Sequence, residues 1–212
     1  MPSIVPRRFK VMDLVLRNLG ENRLRTTLTI AGIAVCVILF IFFNSVGKGL
    51  NDYIEARAAE TNISRYYEIA QILDSWLYII NTILIIVLTV AVANTMLIAV
   101  SERQRILATL KAVGFSNSQL RTLVLMEALV LSSLAFLIGS VVGVSAALIS
   151  DFLFWQANPS GQELFLFLAP AELSTMTIIG AAVLSIVAGT LAALYPAVMA
   201  SKMNPVEALR YE

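Results

Sequence analysis

The densest group of residues able to do chemistry is one short run. SERQRILATLKAVG, residues 101–114, brings Glu102, Arg103, Arg105 and Lys111 within ten positions of one another. The chemistry it points to is recognition. The chain contains no His, so an imidazole base, a Ser-His-Asp triad and a His-containing metal site are all excluded, and its single Cys, Cys36, sits in an apolar run where no disulfide within the chain is available. Ile106, Leu107, Leu110 and Val113 recur at helical spacing among the ions. Ser101 and Gln104 fit a capping box that starts a helix, and Gly114 is a natural left-handed stop. Ser116 and Gln119 repeat the capping signature and launch the next segment. On spacing alone two readings weigh evenly: a helix lying on lipid headgroups, and a capped, rigid helix docked into a cleft of a cytosolic partner.

The elements that must position this helix are apolar. Of 212 residues, 58% are hydrophobic and only 14% charged, against about a quarter charged in typical soluble domains. Four charge-poor stretches are long enough for a hydrocarbon layer roughly 30 Å thick: 26–46, 75–100, 117–150 and 173–200. Backbone polar groups cannot stay unpaired in lipid, and no alternating short segments suggest a barrel, so these are expected to be helices. The fold class is therefore an all-α integral membrane protein of one domain, residues 1–212, with four transmembrane helices. An amphipathic helix is expected at 8–23, a short outer segment at 47–74, an outer loop at 151–172 and a short surface helix at 204–212, where Asn204, Pro205 and Glu207 supply a start signal. The N-terminal stretch does not read as a cleaved signal.

Orientation follows from the basic residues. Twelve of the fifteen (Arg7, Arg8, Lys10, Arg17, Arg23, Arg25, Arg103, Arg105, Lys111, Arg121, Lys202 and Arg210) fall on one side. That puts both termini and the 101–114 helix in the cytoplasm.

Inside the spans, Gly139 and Gly143 form GxxxG, and Ser185, Gly189 and Ala193 place small residues every four positions. Such positions let helices approach closely, within one chain or between subunits; the pattern leaves both open while suggesting that the third and fourth spans pack tightly. Asn44, Asn81, Asn94 and Glu127 are the notable polar groups in or bordering the spans. Glu127 lies near the cytoplasmic end, six residues after Arg121, and an interfacial pairing with that Arg is expected. Trp76, Tyr78 and Trp155 suit interface anchors.

Together these residues resemble the FtsX-like (MacB-like) permeases of ATP-binding-cassette transporters. The likeness is carried by NTMLIAVSERQRILATLKAVGFSNSQL, then Glu127 and GSVVG, and finally YPAVMASKMNPVEALRYE. The resemblance implies that residues 101–114 form a coupling helix seated in a cytosolic ATPase, with Glu102, Arg103, Arg105, Ile106, Leu110, Lys111, Ala112 and Gly114 as the coupling positions. It departs from the family at Ile106-Leu107-Ala108, where an acidic-isoleucine-glycine step is usual. It departs again at 47–74, which is too short for the family's folded extracytoplasmic domain; a minimal permease is favoured over loss of that domain.

The expected function is thus a permease subunit that couples ATP hydrolysis elsewhere to mechanical rearrangement of its helices, for export or extraction of a substrate. The alternative is an ATPase-driven regulatory or scaffolding protein that signals to an extracytoplasmic partner without transporting. This chain contains no G-x-x-x-x-G-K-[ST] phosphate loop, so ATP and Mg would be used by the partner, and no catalytic residue, cofactor or metal is expected here. Expected partners are a cytosolic ABC ATPase dimer, a second permease copy (the same chain or a related one), membrane lipid and an extracytoplasmic protein, with no nucleic acid. An autonomous channel or secondary carrier would call for more intramembrane charge or broken helices.

Overall fold

In the computed structural model, residues 23–61, 65–157 and 170–202 are described. The helices expected at 8–23 and 204–212, and most of the loop between the third and fourth spans, lie outside those residues. The described chain forms six helices: α1 (Arg23–Thr61), α2 (Arg65–Glu102), α3 (Gln104–Ala112), α4 (Asn117–Ala157), α5 (Thr175–Ala192) and α6 (Leu194–Lys202). Four apolar segments within them are long enough to span a membrane: Thr26–Ala56, Gln71–Glu102, Asn117–Ala157 and Thr175–Lys202.

Long runs of Leu, Ile, Val and Ala without proline keep α1, α2 and α4 unbroken for 39, 38 and 41 residues. At about 1.5 Å per residue each is roughly 55–60 Å long, nearly twice the hydrocarbon thickness, so all three project beyond it. The fourth span is different. It divides at Ala193, between α5 and α6. Pro196 explains the division: it has no N–H to give the carbonyl of residue 192, and its ring crowds that turn. Ser174 caps the start of α5, its hydroxyl accepting from the Met176 amide at 3.3 Å.

α1 packs along α4, with α2 on one flank and α5 closing the bundle. Lipid supplies no hydrophobic drive for this packing, so close approach and polar contacts must supply it. The middle layer is accordingly built from Ala34, Ala128, Ala135, Ala188 and Ala192 among Ile33, Leu88, Val92 and Met96. A Cβ placed on Gly139 would lie 2.8 Å from Val37 Cβ and 2.9 Å from the Ala34 carbonyl oxygen; one on Gly143 would lie 3.2 Å from Ile38 Cα. One on Gly189 would lie 1.9 Å from Ser132 Oγ, and Ser185 donates to the Ser132 carbonyl at 3.0 Å. The small residues of both spans therefore serve contacts within this chain: GxxxG faces α1, and Ser185 and Gly189 face α4.

Further polar links cross the bundle away from α3. Asn44 Nδ2 donates to Asn81 Oδ1 at 2.9 Å and Asn81 Nδ2 returns a bond to Asn44 Oδ1 at 3.2 Å, tying α1 to α2. Farther along, residues 170–172 are clasped onto α1 and α4. The Glu172 amide donates to the Ser45 carbonyl at 2.9 Å, its carboxylate pairs with Lys48, and the Ala171 amide donates to Asp151 Oδ1 at 3.2 Å. A hydrogen bond from Asp52 and the Lys48 ammonium together hold the Glu172 carboxyl below the usual carboxylate range.

Candidate functional site

The run that opened the sequence folds as a junction. α2 does not end where a capping box at Ser101 would start a new helix. It continues to Glu102, and the Ser101 hydroxyl donates back to the Ile98 carbonyl at 2.8 Å. There is no orphan amide for Ser101 to cap, because the preceding helix already satisfies the backbone there. The break comes at Arg103, with φ −104° and ψ 14° and no side-chain cap. Even so, its amide reaches the Val100 carbonyl at 3.2 Å and its carbonyl takes the Leu107 amide at 2.9 Å. α3 is thus a bent continuation of α2.

The far end of α3 closes as the glycine predicts. Gly114 adopts φ 107°, a conformation costly for residues with a Cβ. Its amide donates to the Lys111 carbonyl at 3.1 Å, and the Phe115 amide donates to the Leu110 carbonyl at 3.1 Å. This is a Schellman pair, completed by Leu110 and Phe115 both packing onto the cluster of Val100, Leu107, Leu120, Leu123, Val124, Ala197 and Ala200. The capping box expected next is present: the Ser116 amide donates to Gln119 Oε1 at 2.8 Å, and the Gln119 amide to Ser116 Oγ at 3.3 Å.

Arg103 turns inward. Its Nη1 donates to both oxygens of Glu127, at 3.1 and 3.3 Å, and both side chains are only 9% exposed. The pair borders a cavity of about 20 Å³ shared with Met96, Ala99, Val100, Leu107, Leu123 and Val124, room for about one water. Glu127 is therefore not the partner of Arg121. Six residues along a helix turn the side chain through about 600°, some 120° off the same face, whereas neighbours are three or four apart. Arg121 Nε instead donates to Ser201 Oγ at 2.9 Å, and Lys111 Nζ donates to the Ser201 carbonyl at 2.9 Å. Two cations thus meet Ser201 on α6.

The candidate coupling residues consequently separate. Glu102, Arg105, Ile106, Ala112 and Gly114 are exposed, Leu110 and Lys111 are half-buried, and Arg103 is buried. Thr109 and Val113 join the exposed face, Val113 at 77%. Val113 and Ile106 are seven residues apart and share the outer side; Leu107, between them in the apolar pattern, faces in. Their i, i+7 spacing was the available signal for two apolar edges in place of one stripe. Of the polar span residues, Asn94 is exposed on α2 and Glu127 is buried on α4.

A family model described as FtsX-like permease C-terminal matches residues 78–205, which include α3 and most of the bundle. The chain belongs to the FtsX-like permease family. The permease is similar to the ABC transporter permease YknZ of Bacillus subtilis, at 32% identity over 58% of this chain and 28% of that protein. It is similar to the lipoprotein-releasing system transmembrane protein LolC of Haemophilus influenzae, at 32% over 60% of this chain and 32% of the relative. It is also similar to the macrolide export ATP-binding/permease protein MacB of Bdellovibrio bacteriovorus, at 33% over 68% of this chain and 20% of the relative. The match thus spans a third or less of each of these relatives. Family and apolar helices together make the permease a multi-pass membrane subunit of ABC-transporter type.

Proposed function

We propose that the permease couples ATP hydrolysis by a separate cytosolic ATPase to movement of its helices, with α3 as the element seated on that ATPase. The observation that carries this reading is the attachment of α3 to three spans at once. It continues α2, joins α4 through the Arg103–Glu127 pair and the Schellman–capping-box turn, and meets α6 through Lys111 and Ser201. A short helix held this way cannot be pushed without moving the span ends. Its outer face of Glu102, Arg105, Ile106, Thr109 and Val113 stays exposed, an apolar and charged mixture suited to a protein cleft. The ATP-binding half named in MacB supports an ATPase as the occupant, and ATP and Mg would be held by that partner. The charge bias of the loops supports a cytoplasmic site for α3, and two permease copies would face two ATPase subunits. Export or extraction of a substrate is the resulting activity.

The test is affinity purification of the tagged chain from native membranes in mild detergent, beside an Arg105→Glu/Ile106→Asp variant. Both changed residues are exposed, so the bundle should persist. An ATPase recovered with the parent and lost with the variant supports the coupling role. Equal recovery with both removes α3 from the contact, and no ATPase with either removes the reading.

A further inference from the structure

The buried apolar side chains divide at one level across three helices. Met96 of α2, Ala128 of α4 and Ala193 at the end of α5 belong to the middle layer of the bundle. One turn nearer α3, Val100 of α2, Val124 of α4 and Ala197 of α6 belong to the cluster that also takes Leu107 of α3. Leu125 packs on both. The level between them is a seam between two packed blocks. The cavity of about 20 Å³ lies on it, lined by Met96 from one block and by Val100, Leu107, Leu123 and Val124 from the other. Side chains beside a void lack contacts on that side, so the packing resists displacement least there.

The three helices that cross the seam are not alike. α2 and α4 run through it unbroken. The fourth span divides on it, at Ala193, because Pro196 has no amide for the Ala192 carbonyl. A helix that has given up a hydrogen bond at one turn bends there more readily than one that keeps its ladder.

The two halves of that span are fastened to different blocks. α6 is tied toward α3: Lys111 Nζ and Arg121 Nε each reach Ser201 at 2.9 Å, and Ala197 and Ala200 pack in one cluster with Leu107. α5 is tied to the middle of α4, where Ser185 donates to the Ser132 carbonyl at 3.0 Å and Gly189 meets the Ser132 side chain. We infer that Ala192–Pro196 is a hinge, at which α6 swings with α3 as one unit while α5 stays with the bundle. A swing of about 20° carries the far end of α6, about 13 Å long, through about 4–5 Å. The force on α3 rests on the coupling reading proposed above; the hinge itself needs nothing of the ATPase.

The experiment spin-labels pairs of cysteines in the full chain, in a Cys36→Ala background, purified with any ATPase that accompanies it and returned to lipid. Distances are read by pulsed electron resonance. Val183→Cys with Met199→Cys brackets the break, and Leu137→Cys with Leu153→Cys brackets an equal length of unbroken α4. Gln104→Cys reports α3, paired with Leu137→Cys against the bundle and with Met199→Cys inside the moving unit. All five positions are exposed. Without nucleotide, the Val183–Met199 distances should spread about twice as widely as those across α4, and Pro196→Ala should narrow them to the α4 width. Lys111→Met with Arg121→Met keeps the proline and should widen the Gln104–Met199 distances. On adding ATP and vanadate, Gln104–Leu137 and Val183–Met199 should each shift by about 4–5 Å while Gln104–Met199 holds. A shift at Gln104–Leu137 without one at Val183–Met199 overturns the inference alone. No shift at Gln104–Leu137 overturns the coupling reading. A Val183–Met199 width that matches α4 in the parent, or that Pro196→Ala leaves unchanged, removes the hinge whatever the nucleotide does. Unchanged Gln104–Met199 distances in the double variant remove α6 from the unit that moves with α3.

Discussion

Arg103 and Glu127 are 24 residues apart and meet in the bundle through a single guanidinium nitrogen shared between both carboxylate oxygens. The bend between α2 and α3 is thereby fixed to the body of α4. Burying two charges is expensive, and their attraction roughly offsets that cost. The pair therefore specifies the angle of α3 more than it stabilises the fold.

That balance makes an asymmetric prediction. Arg103→Met alone leaves the Glu127 charge buried without its partner and should cost about 3–5 kcal/mol. Arg103→Met combined with Glu127→Leu should recover most of that loss. Thermal unfolding of the purified protein in detergent, run as a double-mutant cycle, reads both. Single variants as stable as the parent would show that the pair does not hold the bend.

Ser201 receives two cations, Arg121 Nε on its hydroxyl and Lys111 Nζ on its carbonyl. Lys111→Met should leave global stability nearly unchanged, since its bond is only half-buried, but free the end of α6. Amide hydrogen exchange over residues 198–202 should then rise several-fold, with exchange in the middle of α5 unaffected. Unchanged exchange at α6 would mean that Lys111 is dispensable to the junction.

What could be read in advance divides by distance along the chain. The α3 stop at Gly114 and the Ser116–Gln119 box depend on residues a few positions apart, and periodicity and capping chemistry suffice to find them. The Ser101–Gln104 signal has the same form and fails, because a local capping pattern cannot report that the helix before it has not ended. Arg103–Glu127 was invisible for a different reason: nothing along the chain says which of several cations a buried carboxylate will meet. The nearest one, Arg121, is excluded only once helix rotation between the two is counted. Gly139 and Gly143 announced a close approach without saying to what, since a missing Cβ is equally useful against α1 or a second subunit. Fold class was legible because it rests on charge scarcity over whole spans, which no single contact can overturn.

Gly114 isolates a backbone effect. A Cβ added there would meet nothing within 4 Å, so any penalty for Gly114→Ala comes from holding φ at 107° alone. About 1–2 kcal/mol is expected. Gly114→Asn should cost less, because Asn tolerates the left-handed region. Equal stabilities for the three forms by thermal unfolding would mean that the turn relaxes out of that conformation.

The glycines of the spans make the opposite test, of space at ordinary backbone geometry. Gly139 faces Val37 and the Ala34 carbonyl with no room for a methyl, whereas Gly180 would place one 3.7 Å from the Phe40 ring, an ordinary contact, and Gly32 would place one in open space. Gly139→Ala must push α4 off α1 and should cost about 1–3 kcal/mol, as overpacking does. Gly180→Ala and Gly32→Ala should be neutral, or stabilising by about 0.5–1 kcal/mol through the better helix propensity of alanine. Melting temperatures of the three variants in one detergent decide the matter. If Gly139→Ala melts with the parent, α1 and α4 are not in the close contact described. If Gly32→Ala alone is destabilised, a neighbour from outside this chain occupies that face of α1.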